Sequence, residues 1–430
     1  MPIKSFYTSE RAQPSMRMSK QLLVLIIFVT AFTTSASAQE LPTEFIFRGS
    51  GYGHGVGMSQ MGARSMALAG KSSTEILQYF YKNVLVEPLD DSKILRVNIG
   101  HLLSSTKIST KTSGAIVQLF SGDIGDQVVA NPIAVFSAGA SLNLSILGSS
   151  IVPNVVVEKK SNTFATNRSF TIRWSGTRYL EGIDALISVT QLGATKKYRY
   201  GQMVVKAVRD KALGFRLELT NAVRLSDEYL WGVSEMPSFW PIAAVQAQAI
   251  ASRSYALSKA GIYRASCDCD LYGAISDQMF LGYAKEIEFK YGAVWKSVVT
   301  ETTGLVITQA GLPITAYFFS SSGGKTDLAV NAWGRSRAYT QIVDDPGSLD
   351  IALNPRFATW DRKLSQADVA RAFLLPDVVQ LEILSRNESG TIGQIRATSS
   401  SGVQVTLRGE TFRSRSKIPS AYCDLVGVQN

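Results

Sequence analysis

Histidine is nearly missing from this chain. His54 and His101 are the only two in 430 residues, and that scarcity removes whole classes of chemistry. A Ser–His–Asp hydrolase would have to use one of them, and nothing around either specifies such a set. Cysteine is scarce as well, with Cys267, Cys269 and Cys423 alone. Zinc takes four ligands, usually from Cys and His, and both histidines lie far from the cysteines in sequence. A metal is therefore disfavoured, and no cofactor is expected. Export would permit a disulfide; one of Cys267 and Cys269 could meet Cys423, leaving an odd thiol. Nucleotide loops are missing too. Gly49 to Gly57 has glycine at every second position, not the G-x-G-x-x-G spacing, and the first glycine that a P-loop ending at Gly324-Lys325-Thr326 requires falls on Phe319. The formal charge is +10, yet there is no dense basic run or basic–aromatic stripe, which argues against nucleic acid. The charge suits an anionic surface such as a cell wall, or simply a solvated basic exterior.

Long apolar runs are also few. The one that stands out, Leu22 to Phe32, is short of the ~20 residues that span a bilayer. It follows Lys4, Arg11, Arg17 and Lys20 and precedes Ala36-Ser37-Ala38, the layout of an export signal over residues 1–38. An uncleaved anchor is the alternative. The expectation is a secreted protein of the cell wall or periplasm that meets the membrane only during export.

The hydrophobic share, 45%, is enough for a real core and two or three subdomains. Residues 39–90 hold the Gly-His-Gly segment and two helices. The first, Ser59 to Ala69, stops at Gly70; the second starts at the capping box Ser72-Ser73-Thr74-Glu75 and runs through Tyr81. Residues 91–220 read as β-rich, with alternation at Leu95, Val97 and Ile99, at Phe170, Ile172 and Trp174, and at Phe215, Leu217 and Leu219. Residues 221–363 hold the chemistry-bearing motifs. A helix from Ile242 to Leu257 follows Pro241, with Gln248, Ser252 and Tyr255 on one face and Gln246 and Arg253 on another. Leu305 to Tyr317 reads as a hairpin turning near Ala310-Gly311, and the polar loop Ser320 to Thr326 follows it. Residues 364–430 add a short helix near Ser365–Phe373 and strands near Val379–Leu384, Ile392–Ala397 and Val403–Leu407.

The most informative stretch is Tyr229 to Leu257. It sets one carboxylate, Glu235, in an apolar turn with Trp231, Met236, Phe239 and Trp240. Such surroundings would raise the pKa of the carboxyl, as a general acid requires. The competing reading is a structural Glu that pairs with Arg253 or caps the helix. His54, between glycines, is unusually approachable, though an isolated His is more often structural.

Asn221 to Pro241 followed by Ala247 to Leu257 resembles the core signature of the SpoIID/LytB family, the stage II sporulation protein D and amidase-enhancer proteins. Ser276-Asp-Gln-Met-Phe-Leu-Gly282 is similar to the family's Gln-x-Tyr-x-Gly segment, with Phe280 at the tyrosine place. Thr303-Gly304, Ser320 to Thr326, and Gly53-His-Gly-Val-Gly-Met-Ser-Gln-Met-Gly-Ala63 resemble further signatures. In many members the last of these comes at the end of the domain; here it comes first. Some members bind zinc through cysteines near the Gln segment, but the aligned positions here are Tyr272 and Asp277, so the resemblance does not carry zinc.

The resemblance implies an α+β fold, with a SpoIID-type core, a catalytic-cleft helix and mixed β subdomains. It also implies action on peptide-stripped peptidoglycan glycan strands as a lytic transglycosylase, with Glu235 as the sole acid/base. By motif position it makes Gln248, Ser252, Arg253, Ser321, Thr326, His54, Gln60 and Gln278 substrate contacts, with Trp240 and Trp333 as sugar platforms. The alternative it implies is a non-catalytic glycan-binding enhancer of a cell-wall amidase. For either reading, the displaced His54 segment should fold back to the Glu235 cleft.

Overall fold

The computed structural model describes residues 41–128 and 131–429; the expected export signal lies outside them. Among the described residues no helix is long and apolar enough to cross a membrane. The fold is α+β, as expected, with several separate sheets.

The β-rich region forms two large sheets, and the three alternating segments all lie in the first. In the first, the strands run in the order Leu271–Tyr272, Ile94–Leu103, Gly214–Arg224, Gln202–Asp210, Ser169–Trp174, Ile116–Ser121 and Ala134–Ser137. All neighbours are antiparallel except the first pair. The second, six-stranded sheet runs from Lys160–Thr163 to Ala194–Tyr198. Their inward residues, among them Val97, Ile108, Leu142, Ile172, Val189 and Leu219, belong to one continuous apolar core.

Three helices near the site join that core, and the helix Gly292–Glu301 joins it through Trp295, Val298 and Val299. α1 (Gln60–Leu68) is capped by Ser59, whose hydroxyl accepts from the Gly62 N–H. α2 (Ser73–Phe80) starts at the expected capping box, with both reciprocal bonds of Ser72 and Glu75 formed. α3 (Ile242–Leu257) begins after Pro241 and is buried along most of its length. Its alanines let α1, α2 and the strand Leu305–Gln309 approach closely. Ser254 Oγ fastens it by accepting from the Ile307 N–H at 2.8 Å.

A second core gathers Phe45 and Phe47 with Trp360, Phe373, Ile395 and Phe412. It sits on the strand Glu44–Gly49, which runs between Trp360–Ser365 and Cys423–Gln429, and on the sheet Gln380–Arg386, Ile392–Thr398 and Gln404–Arg408. The Gly-His-Gly segment thus begins in one core and ends in the other.

Between them, residues 50–59 lie along residues 317–327. Tyr52 bridges Ser321, Val56 bridges Asp327, and Met58–Ser59 pairs in parallel with Phe318–Phe319. Glycine is required here. A Cβ on Gly57 would stand 2.0 Å from the Tyr317 carbonyl oxygen, and one on Gly53 2.8 Å from the Phe319 Cβ. This pairing also shortens the expected hairpin. It turns at Ala310 and Gly311 with positive φ, but its second strand is only Leu312–Pro313, and Phe318–Phe319 leaves to join the Gly-His-Gly segment.

The cysteines depart from the expected pairing. Cys267 is bonded to Cys269, and Cys423 is a buried free thiol in the second core, away from the loop that carries the pair.

Candidate active site

Glu235 is held by two chain segments laid side by side. The long strand Gly214–Arg224 runs into two short helical turns, Leu225–Tyr229 and Leu230–Gly232. From there residues 232–234 run beside 279–281. Val233 bridges Phe280, the Ser234 N–H donates to the Met279 carbonyl at 2.8 Å, and the Leu281 N–H donates to the Gly232 carbonyl at 2.8 Å. The Met279 N–H is thereby aimed at Glu235 and donates to Oε1 at 2.5 Å. Tyr229 supports the segment, stacking on Phe280 with ring centroids 5.3 Å apart and donating from its hydroxyl to Gln278 Oε1 at 2.8 Å.

Burial pushes the Glu235 carboxyl up to about 7, against the opposing pull of the Met279 N–H. Met236 and Trp240 are buried beside it in sequence, whereas Phe239 faces solvent and does not contribute as expected. Neither structural reading of Glu235 matches the contacts. Arg253 forms an ion pair with Asp91 at 2.8 Å. The N-cap of α3 is Pro241, with no side-chain capping bond.

Glu235 lines an open cleft of about 1330 Å³, and so do His54, Gln60, Tyr255, Trp333 and Ser320. The displaced His54 segment therefore does reach the Glu235 cleft. Gln60, in the first turn of α1, joins the two directly: its amide donates to the Glu235 carbonyl at 3.0 Å and to Gln248 Oε1 at 3.1 Å. Gln248 in turn donates to Ser252 Oγ at 3.0 Å. His54 is half-buried, packed against Trp333 and Phe319 with centroids 5.0 and 5.4 Å away. Burial, helped by Arg413, pushes its pKa down to about 3. The ring is neutral, with Nδ1 accepting from the Val56 N–H at 3.1 Å.

Other expected contacts lie beneath the cleft surface. Gln248 and Ser252 are fully buried and stand behind Gln60. Arg253 is also fully buried, donating to the Val299 carbonyl at 3.0 Å. Ser321 accepts from Asn354 Nδ2 at 2.9 Å, and Thr326 donates to the Gln341 carbonyl at 2.8 Å; both are buried and fix the loop. Gln278 is buried. Trp240 is buried under the Arg64 guanidinium, 5.0 Å from its ring. Trp333, 37% exposed, is the tryptophan that meets the cleft. Asp277 holds Arg264 through both oxygens at 2.8 and 2.9 Å and accepts from Tyr255 at 2.8 Å.

Apart from Trp333 and the loop beginning at Ser320, the remaining side of the cleft is not marked in the sequence. It comes from residues 317–337 and from the helix Gly409–Ser416 with its following turn, bringing Tyr317, Arg335, Arg337, Glu410, Arg413 and Lys417. No local pattern marks these residues. The long-range pairing of residues 50–59 with 317–327 joins this part of the chain to the cleft that Glu235 lines.

Residues 215–309, which carry Glu235, α3 and Met279, match the family model described as stage II sporulation protein. Those residues carry a SpoIID domain, in keeping with the resemblance to the SpoIID/LytB family. The chain is 26% identical over 204 residues to stage II sporulation protein D of Bacillus subtilis (strain 168), covering 44% of this chain and 55% of that protein. It is 29% identical over 216 residues to stage II sporulation protein D of Bacillus amyloliquefaciens, covering 45% and 58%. It is 30% identical over 106 residues to the amidase enhancer of Bacillus subtilis (strain 168), covering 25% and 13%. The chain thus spans a little over half the length of the sporulation proteins and a small part of the enhancer. No solved structure matches it. The matched SpoIID segment supplies the wall with Glu235, while His54, Gln60 and the cationic wall lie outside it.

Proposed function

We propose that this is an exported, peptidoglycan-acting protein of the cell wall or periplasm, a lytic transglycosylase that cleaves peptide-stripped glycan strands with Glu235 as its single acid/base. The observation that carries the reading is the Glu235 carboxyl itself. It is held near neutrality by burial, without an ion-pair partner among the described residues, on the wall of a cleft large enough for several sugar rings. A hydrolytic glycosidase usually needs two carboxyl groups. One is enough when the nucleophile is the 6-hydroxyl of the muramic residue itself. Glu235 gives its proton to the glycosidic oxygen as the C1–O bond breaks. The resulting carboxylate then takes the proton of the 6-hydroxyl as O6 bonds to C1, leaving a 1,6-anhydro end and Glu235 reprotonated. The Met279 N–H fixes Oε1, so Oε2 is the oxygen free to carry the proton. Gln60 holds the backbone of residue 235 in place, and Trp333 and Tyr317 offer aromatic faces to the sugar.

Mass spectrometry of denuded glycan incubated with residues 39–430 tests this. Anhydro ends are expected with the wild type and none with Glu235→Gln. Equal digestion by both would refute it. The similarity to an amidase enhancer supports a second reading, a glycan-binding protein that stimulates a wall amidase. Neither protein would then form anhydro ends, yet both would bind glycan.

A further inference from the structure

The cleft carries an imbalance of charge that the acid/base chemistry does not use. Of its acidic groups, Asp277 is neutralised by Arg264 at 2.8 Å, and Glu410 by Arg413 through a double hydrogen bond at 2.7 Å each. Glu235, raised to about 7, is about half protonated at neutral pH and largely protonated below it. Three cations remain, Arg335, Arg337 and Lys417, and none forms an ion pair among the described residues. All three are exposed. Each is placed by a defined local structure. Arg335 and Arg337 follow Trp333 after the left-handed turn at Gly334, which caps the helix Ala329–Trp333, and Arg337 leans on Tyr317. Lys417 is itself the left-handed cap of the helix Gly409–Ser416, at φ 61°. Stray surface cations would be scattered over the exterior. These face the same cleft as Trp333 and Tyr317, alternating charge with aromatic surface.

We propose that Arg335, Arg337 and Lys417 form an anion-reading wall that selects glycans bearing a carboxylate on alternate sugars over neutral glycans of the same backbone. The inference rests on the glycan-binding reading above. In a muramic strand the ether-linked lactyl group carries a free carboxylate once the peptide is gone. An attached peptide uses that carboxyl in an amide bond and adds bulk. The wall would therefore favour stripped strands by charge as well as by space. Guanidinium groups suit such carboxylates because they can donate two parallel hydrogen bonds. The contacts stand at a solvated rim, so they act chiefly on selection and on encounter rate and weaken with salt.

The test uses residues 39–430 and three probes of matched length: denuded muramic strands free of phosphate-bearing polymer, the same strands with their carboxyl groups reduced to alcohols, and neutral chito-oligosaccharide. Binding is measured by calorimetry at 50 and 300 mM salt, for the wild type and for the Arg335→Gln/Arg337→Gln/Lys417→Gln variant. The wild type should bind the native strand on the order of tenfold more tightly than either neutral probe at low salt, with the gap shrinking at high salt. The triple variant should bind all three alike, with an unchanged melting curve because the replaced side chains are exposed. Equal wild-type affinity for native and carboxyl-reduced strands would overturn the charge selection and leave glycan binding intact. Failure of the wild type to bind any of the three would overturn both.

Discussion

Placing Glu235 in a poorly hydrated turn should destabilise the protein in a pH-dependent way. The folded carboxyl has its pKa raised to about 7 against an ordinary 4.5. Between those values the folded state holds a proton that the unfolded chain has released, so stability falls as pH rises through this window. Below it both states are protonated and the penalty vanishes; above about pH 7 it is fully present, at about 3 kcal/mol. Glu235→Gln removes the ionisation and can still accept from the Met279 N–H. Its stability relative to wild type should therefore be unchanged near pH 4 and higher by about 3 kcal/mol at pH 8. With an unfolding entropy of ~2.1 cal/mol/K per residue over roughly 400 residues, that is a gain in Tm of ~4 °C. Differential scanning calorimetry of both proteins at pH 4, 6 and 8 measures it. A Tm difference that does not change with pH would refute the reasoning, since it would mean that Glu235 ionises as freely folded as unfolded. A substitution that abolishes cleavage while stabilising the fold only at high pH would separate catalysis from a structural role.

Other consequences can be measured directly. If the protonated form of Glu235 is the acid, the rate of anhydro-end formation should fall about tenfold per pH unit above pH 7, as followed by chromatography of the products. Arg253→Gln should lower stability by about 3–5 kcal/mol, since it leaves Asp91 buried without its cation; urea unfolding would show this, and a variant as stable as wild type would contradict the assignment. Gln60→Ala, which removes two hydrogen bonds, should cost about 1–3 kcal/mol and reduce the rate more than the glycan affinity, as separate unfolding and single-turnover measurements would report. Unfolded but unreduced protein should expose one reactive thiol, Cys423, and three after reduction; thiol titration gives the count.

Local chemistry made part of this molecule legible. The capping box, the alternating strands and the α3 start after proline are set within a few residues, and the structure forms them where the sequence placed them. The carboxylate among aromatic residues at 229–240 was legible for the same reason. The roles of polar side chains on well-marked motifs were not. Arg253 and Gln248 sit on predictable faces of α3, but whether such a face meets solvent depends on what packs on it. Here α1, α2 and the strand Leu305–Gln309 cover it, and the partner of Arg253 is Asp91, far back in the chain. The Ser320 to Thr326 loop shows the same limit: its Ser321 and Thr326 turn inward, to Asn354 and to the Gln341 carbonyl.

The order of segments explains why the cleft has two unlike walls. The wall with Glu235 is built chiefly within residues 225–281, by the pairing of 232–234 with 279–281, with Gln60 adding one bond to the Glu235 carbonyl. The opposite wall exists because the strand Glu44–Gly49 belongs to the second core and the chain then crosses along residues 317–327 before entering the first core at α1. That crossing needs glycine, since the Tyr317 carbonyl leaves no space for a side chain at Gly57. Gly57→Ala should therefore disturb the cationic wall before the carboxylate wall. The Glu235 turn and its raised pKa should survive, while Trp333, Arg335 and Arg337 lose their position. Such a variant would keep the pH-dependent stability difference from its Glu235→Gln derivative and lose its preference for carboxylate-bearing glycan. If the pH dependence vanished as well, the two walls would have to be one cooperative unit, with the Gln60 bond to the Glu235 carbonyl coupling them tightly instead of serving as a minor link.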